Sequence, residues 1–423
     1  IKETGHVNAY FPLLIPKSFL EKEKDHVEGF SPECAWVTIG GGEELAEPLA
    51  IRPTSEAMIC SMYAKWVHSW RDLPVLINQW ANVLRWEKVT RPFLRTTEFL
   101  WQEGHTLHAT EAEAEEETLK MLNVYRSFSE EILAMPVIVG RKSESEKFAG
   151  ALRTYSIEAL MGDGKALQAG TSHNLGQHFA TAYGIEFLDK DEKRALPWST
   201  SWGTSTRMIG GLIMTHGDDA GLILPPRVAP YQVVVVPIPP RKGDVNEVVL
   251  PRAREIASRL RAAGVRVHVD DRDTKQAGFK FADWEMRGVP LRLEIGPKDI
   301  EKGQCVLVRR DTREKAFVPL DGLEADVRSR LDAIQGDLLA RARQFVAENT
   351  THAGSWDEFR QVMADKRGFI VAGWCGDAAC EARIKEETRA TVRVIPIEGE
   401  ARPGTCVRCG EPSARDVYFA QAY

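Results

Sequence analysis

Two charged side chains in the first half of the chain are suited to holding a nucleotide. Arg85 and Glu87 are two residues apart in a strand-like stretch, so both side chains point to one face of a sheet. A guanidinium can bind phosphate oxygens in bidentate fashion, and a carboxylate can accept a hydrogen bond from the amino group of a base. The alternative for an isolated Arg-x-Glu pair is a structural ion pair on the sheet.

Three polar stretches of similar character accompany this pair. Arg-Pro-Thr-Ser-Glu occupies residues 52–56, Arg-Pro-Phe-Leu-Arg-Thr-Thr-Glu-Phe occupies 91–99, and Ser-Thr-Ser-Trp-Gly-Thr-Ser-Thr-Arg occupies 199–207. Two arginines that converge from separate stretches can neutralise the charge of a triphosphate. We therefore expect Arg85 and Arg207 to meet in a single site.

Four of the seven cysteines lie between residues 375 and 409. The spacing Cys375-x4-Cys380 and Cys406-x2-Cys409 fits a tetrahedral zinc site with four thiolate ligands. Because the protein would supply every ligand, such a zinc ion would be structural. The alternative is that these cysteines are unligated or paired in disulfides.

Three domains are predicted to position these residues. Residues 1–225 show short strand-like runs, a few long helices and no regular βαβ alternation, which predicts an α+β domain around an antiparallel sheet. A helix is expected to begin at Thr110, which forms a capping box with Glu113. Strands and helices alternate over 231–325, which predicts a small α/β domain with a largely parallel sheet. An amphipathic helix over 326–349 opens the third region, an α/β zinc domain over 326–423.

Composition limits the possible classes of protein. A chain that is 43% hydrophobic and 27% charged is neither disordered nor collagen-like. The net charge of -6 excludes a strongly basic nucleic-acid coat but leaves room for a local RNA-binding face. The apolar runs are too short to cross a bilayer, and no secretory signal opens the chain, so we expect a cytoplasmic protein without membrane contact. Because the chain starts at Ile1, we expect it to be part of a longer protein.

In their order along the chain, these stretches resemble motifs 2 and 3 of class II aminoacyl-tRNA synthetases. Within that superfamily the chain is similar to prolyl-tRNA synthetases. The similarity rests on Arg-Pro-Thr-Ser-Glu, the Arg-x-Glu pair, Phe-Leu-Trp-Gln-Glu-Gly-His at 99–105, Gln-Ala-Gly-Thr-Ser-His at 168–173, Thr-Ser-Trp-Gly at 200–203, Gly-Pro-Lys-Asp at 296–299 and the cysteine cluster. The class I signatures His-x-Gly-His and Lys-Met-Ser-Lys-Ser are absent from the sequence.

The resemblance implies a proline–tRNA ligase that joins L-proline to tRNA(Pro) through a prolyl-adenylate, with ATP, Mg²⁺ and structural Zn²⁺. It also implies an anticodon-binding second domain and a homodimer formed through motif 1. Only the strand of motif 1 is present, at 5–16, and its preceding helix is missing. The chain resembles the archaeal and eukaryotic-type branch, because residues 109–198, which separate motifs 2 and 3, leave no room for an editing insertion.

Roles for single residues follow from the same resemblance. Catalysis is assigned to Arg85 and Arg207. The residues expected around proline are Thr54, Glu56, Arg85, Trp101, His173 and Trp202. The residues expected around ATP are Arg85, Glu87, Thr96, Gln168, Thr171, Ser205 and Arg207. For the tryptophans, ordinary core packing is the alternative.

Arg272, Glu294 and Lys298 are candidates for reading the anticodon, because Glu accepts hydrogen bonds from base amines while Arg and Lys reach guanine O6 and N7. Three other interpretations compete with the prolyl enzyme. A threonyl- or glycyl-type synthetase is disfavoured by the Thr-Ser-Glu and Gln-Ala-Gly-Thr-Ser-His stretches. A non-catalytic paralogue is disfavoured because Arg85 and Arg207 are both present. A zinc-stabilised RNA-binding module predicts no thermal shift with ATP.

Overall fold

A computed structural model describes residues 1–22, 34–240, 245–399 and 402–423, and the side chains of 245–247 are not included. The chain divides into two compact units. The first comprises Ile1–Ser127, Val137–Gly211 and Glu348–Tyr423. The second comprises Phe128–Pro136 and Leu212–Ala347.

The described strands are numbered in chain order. They are β1 (Val7–Asn8), β2 (Leu14–Pro16), β3 (Trp36–Gly40), β4 (Glu43–Ile51), β5 (Val75–Leu84), β6 (Glu98–His108), β7 (Ile138–Arg141), β8 (Arg153–Leu160), β9 (Ala166–Gly176), β10 (Phe187–Leu188), β11 (Arg194–Ala195), β12 (Trp198–Ser205), β13 (Val233–Pro237), β14 (Val267–Val269), β15 (Leu291–Ile295), β16 (Gln304–Arg309), β17 (Lys315–Pro319), β18 (Thr350–His352), β19 (Phe369–Gly373), β20 (Ala390–Pro396), β21 (Gly404–Thr405), β22 (Pro412–Ser413) and β23 (Asp416–Gln421).

One long sheet runs through the first unit. Its strand order is β1-β5-β6-β12-β9-β8-β7-β20-β23-β19-β18. Neighbouring strands are antiparallel except at the two ends, where β1 pairs with β5 and β18 pairs with β19 in parallel. The predicted α+β architecture around an antiparallel sheet is confirmed. β2, β3 and β4 form a smaller antiparallel sheet.

Residue alternation along β6 places several functional side chains on one face of the long sheet. Trp101, Glu103 and His105 point to the same face because successive strand residues alternate. In the neighbouring strand, Trp202 pairs with Gly104. A Cβ atom at Gly104 would lie only 2.1 Å from the Trp202 ring, so the glycine allows the indole to lie across β6.

Helices of the first unit cover the sheets and connect the strands. The predicted capping box is present, since Thr110 Oγ1 accepts from Glu113 N at 3.3 Å and Glu113 accepts from Thr110 N at 3.1 Å. The α-helix that begins after it ends at Ser127, and a π-helical turn over Phe128–Ile132 follows directly. The α-helices are Lys17–Leu20, Glu56–Trp66, Glu111–Ser127, His178–Tyr183, Trp356–Asp365 and Ala378–Thr388, and 3-10 turns occupy Lys2–Thr4 and Trp70–Asp72. The helix Arg207–His216 begins in the first unit, which ends at Gly211 in this part of the chain.

The second unit is an α/β domain whose sheet has the order β14-β13-β15-β16-β17. β14, β13 and β15 are parallel, whereas β16 and β17 are antiparallel to their neighbours, so the expectation of a largely parallel sheet holds for only two of the four pairings. Valines and leucines of the central strands pack against one face of the long helices. The helices of this unit are Val245–Ala262, Ala277–Met286, Pro297–Glu301 and Leu323–Glu348.

The helix Leu323–Glu348 crosses the predicted domain boundary at residue 326. Its apolar side, which includes Val327, Leu331 and Leu338, packs into the core of the second unit. The carboxyl-terminal region of the first unit begins after this helix, at Glu348. It has its own core and joins the long sheet through the pairing of β20 with β7. Among the described helices, we find none with the length and apolar character required to cross a membrane.

Candidate active site

A cavity of about 200 Å³ lies on the face of the long sheet that carries Trp101, Glu103 and His105. All residues predicted to surround proline line it, namely Thr54, Glu56, Arg85, Trp101, His173 and Trp202. Five of the residues predicted to surround ATP line it too, namely Arg85, Gln168, Thr171, Ser205 and Arg207. Glu87 and Thr96 line a second cavity of about 90 Å³, and the two cavities share Arg85, Phe99, Ser205 and Arg207.

The two predicted catalytic arginines meet in these adjoining cavities. Arg85 Nε donates to the carbonyl oxygen of Pro53 at 3.0 Å, and its guanidinium lies 5.5 Å from the centre of the Trp101 ring. Arg207 Nε donates to the carbonyl oxygen of Leu94 at 2.8 Å. Burial lowers the pKa of Arg207, and the positive charges of Arg85 and Arg95 lower it further. An arginine stays protonated at neutral pH, so this pair suits a bound polyanion.

Glu87 has a partner in the smaller cavity. Arg95 Nε lies 3.2 Å from Glu87 Oε1. Thr96 follows in the same loop and donates from Oγ1 to the carbonyl oxygen of Glu98 at 2.8 Å. The Arg-x-Glu pair therefore opens onto a cavity, and Glu87 is also held by an ion pair.

The stretch before the helix Glu56–Trp66 is fixed by a fully buried arginine. Arg52 is 0% exposed and donates to the carbonyl oxygens of Asn82 and Phe11 at 2.8 and 2.9 Å. These bonds satisfy buried carbonyl groups and hold Thr54 and Glu56 beside β5. The hydroxyl of Thr54 donates to the Glu56 carboxylate.

A second buried carboxylate lies at the base of the cavity. Glu103 accepts hydrogen bonds from Ser55 Oγ and Gln79 Nε2, both at 2.5 Å, and lies 2.9 Å from His105 Nε2. Burial alone would lower the pKa of His105, but the hydrogen bond and charge of Glu103 raise it above the usual value. The Glu103 carboxylate thus favours the protonated form of His105.

His173 differs from His105 although both are buried. Burial lowers the pKa of His173 to about 4, and the charges of His105 and Arg85 act in the same direction. The ring is therefore neutral at pH 7. Its Nδ1 lies 3.0 Å from Thr154 Oγ1, and its plane lies against the Phe148 ring with 4.6 Å between ring centres.

Three family models match successive parts of the chain. The model "tRNA synthetase class II core domain (G, H, P, S and T)" matches residues 36–216. The model "Anticodon binding domain" matches residues 232–330. The model "Prolyl-tRNA synthetase, C-terminal" matches residues 356–423. The first range includes six strands of the long sheet, the second includes the sheet of the α/β domain, and the third includes the cysteine cluster.

The whole chain is also similar to proteins named "Proline--tRNA ligase". It is 57% identical to the protein of Chlorobaculum tepidum and covers 88% of it, and 59% identical to "Proline--tRNA ligase 2" of Clostridioides difficile, of which it covers 87%. It is 60% identical to the protein of Natranaerobius thermophilus and again covers 87%. The chain belongs to the prolyl-tRNA synthetase family. It is a class II aminoacyl-tRNA synthetase, as the resemblance implied.

Several residues of this prolyl-tRNA synthetase line the larger cavity without having been predicted there. They are Glu103, His105, Glu146, Phe148 and Thr154. The alternation of β6 around Trp101 could have identified Glu103 and His105. Glu146 and Phe148 lie in the connection between β7 and β8, where no periodic pattern marks them.

The candidate anticodon readers lie in the second unit of the synthetase, apart from the cavity residues in the chain. Arg272 and Lys298 follow the parallel strands β14 and β15, and Glu294 is near the end of β15. Arg272 NH2 lies 2.6 Å from Asp270 and 2.9 Å from Asp283, and Glu294 accepts from Arg292 Nε at 2.9 Å. Lys298 is exposed.

The four cysteines of the cluster come together in the carboxyl-terminal region. Their sulfur atoms all lie within 4.8 Å of one another, and the pairs Cys380–Cys406 and Cys375–Cys409 are each separated by 3.7 Å. A tetrahedral ion with bonds of about 2.3 Å separates its sulfur ligands by about 3.8 Å, so the residues fit Zn²⁺. Burial raises the pKa of the Cys406 thiol, but hydrogen bonds from the backbone of Cys409 and Arg408 outweigh it and lower that pKa to about 7.

Proposed function

We propose that this chain ligates L-proline to tRNA(Pro) with ATP, through a prolyl-adenylate intermediate. The observation that carries the proposal is that Arg85 and Arg207 line one cavity together with the buried carboxylate of Glu56. Two cations suit the triphosphate and the carboxylate of the amino acid, and one anion suits its ammonium group. Full-length similarity to proteins named "Proline--tRNA ligase" supports the same conclusion.

The first reaction needs positioning more than proton transfer. The proline carboxylate is ionised at neutral pH, so it can attack the α-phosphorus of ATP without a general base. The bond from the α-phosphorus to the bridging oxygen breaks, and pyrophosphate leaves with that oxygen. Arg85 would hold the α-phosphate and the proline carboxylate, and Arg207 would hold the γ-phosphate or stack on adenine. In the second reaction, the terminal ribose hydroxyl of the tRNA attacks the carbonyl carbon of the adenylate and AMP leaves.

Roles at the adenine end are proposed from the smaller cavity. Glu87 and the main chain of Thr96 would read the adenine base, and both residues line that cavity. Gln168, Thr171 and Ser205 would lie along the phosphates. Class II synthetases in general use ATP with Mg²⁺, which supplies further charge neutralisation when bound.

We propose that specificity for proline comes from a carboxylate that binds its ammonium group, in a cavity with apolar walls that enclose its ring. Glu56 and Thr54 would bind the secondary ammonium group, because both line the cavity and a carboxylate accepts hydrogen bonds from an ammonium group. Trp101, Trp202 and neutral His173 would enclose the five-membered ring. The residues between motifs 2 and 3 supply β7–β11 and the connecting helices, and we propose that the chain has no editing insertion there.

Partners and the metal follow from the other regions. We propose that the α/β domain binds the tRNA(Pro) anticodon, with Arg272, Glu294 and Lys298 as candidate readers, and that the cysteine cluster holds structural Zn²⁺. A homodimer is proposed through the motif 1 stretch at 5–16, which forms the two short strands β1 and β2 in place of the single expected strand. Val7 and Tyr10 of this stretch are 66% and 67% exposed. Light scattering of the purified chain tests the dimer.

Amino-acid-dependent exchange of pyrophosphate into ATP tests the main proposal. Purified protein should exchange with proline, and with threonine or glycine only at background rates. Exchange that depends on threonine or glycine would favour another class II specificity. Lack of exchange with every amino acid, together with no thermal shift by ATP, would overturn the enzyme assignment in favour of an RNA-binding module.

A further inference from the structure

The wall of the larger cavity includes two residues from the connection between β7 and β8. Glu146 and Phe148 both line the cavity. Phe148 lies against His173, and its main-chain N–H donates to Thr154 Oγ1 at 3.0 Å. The position of residues 142–148, called the wall segment below, therefore determines the shape of this side of the cavity.

Hydrogen bonds attach the wall segment to the carboxyl-terminal region. Ser143 Oγ donates to Glu381 Oε1 at 3.0 Å. Lys142 Nζ donates to the main-chain oxygen of Arg393 at 2.9 Å. Glu381 belongs to the helix Ala378–Thr388 and Arg393 to β20, so two different elements of that region hold one short segment.

A buried ion cluster reinforces these contacts. Glu158 of β8 accepts two hydrogen bonds from Arg393 NH2 and lies 3.0 Å from Lys142 Nζ. Lys142, Ser143, Glu158, Glu381 and Arg393 are all at most 5% exposed. Buried charges are tolerated only when closely paired and hydrogen-bonded, so displacing Lys142 from this cluster would leave buried charges without their partners.

The carboxyl-terminal region also supplies positive charges to the cavity wall. Arg393 NH1 and Lys385 Nζ each lie 3.8 Å from a carboxylate oxygen of Glu146. Both cations belong to the region that the prolyl-tRNA synthetase C-terminal model matches. Loss of Arg393 would therefore change the charge beside the cavity as well as the position of its wall.

We propose that Glu381 and Arg393 are positioning residues for the amino-acid end of the cavity. They fix Glu146 and Phe148 through the wall segment and do not touch the substrates. The proposal rests on the proposed function, because it takes the cavity to hold proline. It gives the carboxyl-terminal region a role in amino-acid binding that is separate from the metal site proposed at the cysteine cluster.

Ser143→Ala and Glu381→Gln test this role from the two sides of one contact. Ser143→Ala should raise KM for proline about tenfold in pyrophosphate exchange, which is the effect of losing one hydrogen bond to a charged group. Glu381→Gln keeps an acceptor oxygen but loses its charge, so it should raise KM for proline by a smaller factor of about fivefold. KM for ATP, zinc content and the thermal midpoint should change little. Arg393→Lys keeps the charge but loses the paired hydrogen bonds to Glu158, so it should give an intermediate increase.

Glu387→Gln is the matched control on the same helix, because Glu387 pairs with Arg408 at 2.7 Å instead of the wall segment. It should leave KM for proline unchanged. The proposal is overturned if Ser143→Ala and Glu381→Gln behave like this control. It is also overturned if KM for proline, KM for ATP and the thermal midpoint all shift together, since that pattern reports general destabilisation.

Amide hydrogen exchange separates this proposal from the proposed function. Exchange in residues 143–150 should be at least about tenfold faster in Glu381→Gln than in Glu387→Gln. A wild-type protein without proline-dependent pyrophosphate exchange would refute the proposed function. Equal amide exchange in the two variants would refute the positioning role, whatever the wild-type activity.

Discussion

Arg207 Nε donates to the main-chain oxygen of Leu94 at 2.8 Å, which ties motif 3 to the loop of motif 2. The helix that begins at Arg207 also packs closely against this loop. A Cβ atom at Gly210, three residues further along the helix, would lie 2.7 Å from the Leu94 side chain. One arginine thus contacts the loop that carries Arg95 and Thr96 and lines both cavities.

Replacement of this arginine should affect turnover far more than folding. Arg207→Ala is expected to lower kcat for pyrophosphate exchange by about 100- to 1000-fold, because a preorganised charge is lost where negative charge develops. Arg194→Ala is the control, since Arg194 is 80% exposed and pairs only with surface Glu186 among its described contacts. A kcat for Arg207→Ala within threefold of wild type would contradict the proposed role.

Gly104→Ala should disturb the cavity through its neighbour. The new methyl group would meet the Trp202 ring at 2.1 Å, so the indole must move, at a cost of about 1–3 kcal/mol in the free energy of unfolding. We expect a lower thermal midpoint and a higher KM for proline. Gly336→Ala in the helix Leu323–Glu348 meets no atom within 4 Å and should be neutral or stabilising.

The neutral state of His173 predicts a pH effect on stability. With a folded pKa of about 4 and an unfolded pKa of about 6.5, His173 takes up its proton more readily in the unfolded chain. Its contribution to stability is therefore complete above pH 6.5 and is lost as the pH falls from 6.5 towards 4. His173→Gln should reduce the slope of the thermal midpoint against pH in that window, whereas exposed His352→Gln should not.

The cysteine cluster predicts one zinc ion per chain. Cys406→Ser should abolish bound zinc, measured by atomic emission, and lower the thermal midpoint, because a structural site contributes directly to folding. Cys34→Ser should retain the metal, since Cys34 lies outside the cluster. A wild-type protein that is free of zinc after purification with added zinc would contradict this prediction.

Because we propose that the chain does not edit, we expect tRNA(Pro) charged with alanine to persist. Alanine lacks methylene groups that proline has, so an apolar pocket discriminates against it by only about 1–3 kcal/mol. We expect measurable alanine-dependent exchange and no hydrolysis of alanyl-tRNA(Pro) by the chain. Hydrolysis faster than in buffer, with prolyl-tRNA(Pro) stable as the control, would contradict the proposal.

Local patterns predicted the elements and much of the cavity. The capping box at Thr110 fixed the start of its helix. The strand expected for Arg85 and Glu87 was wrong, because β5 ends at Leu84 and both residues follow it, although both line the smaller cavity. The order of the motifs along the chain predicted that Arg85 and Arg207 would converge. In the structure they converge because strands β5, β6 and β12 are neighbours in the sheet. These features depend on short stretches of the chain, so the local sequence was sufficient to predict them.

Features set by distant contacts were not predictable in the same way. Phe148 lines the cavity because the wall segment is held by Glu381 and Arg393, more than two hundred residues away in the chain. The helix Leu323–Glu348 is amphipathic, but amphipathicity does not say which core its apolar side will join. The antiparallel pairing of β16 with β17 likewise depends on a turn at 310–314 that carries no glycine.

The pairing of β20 with β7 has a consequence for shortened forms of the enzyme. A chain cut after Ala347 would keep every cavity residue named here, yet β7 would become a bare edge with unsatisfied main-chain groups. Such edges recruit strands from other molecules. A minimal version of this synthetase would therefore tend to self-associate, even though nothing had been removed from its catalytic cavities.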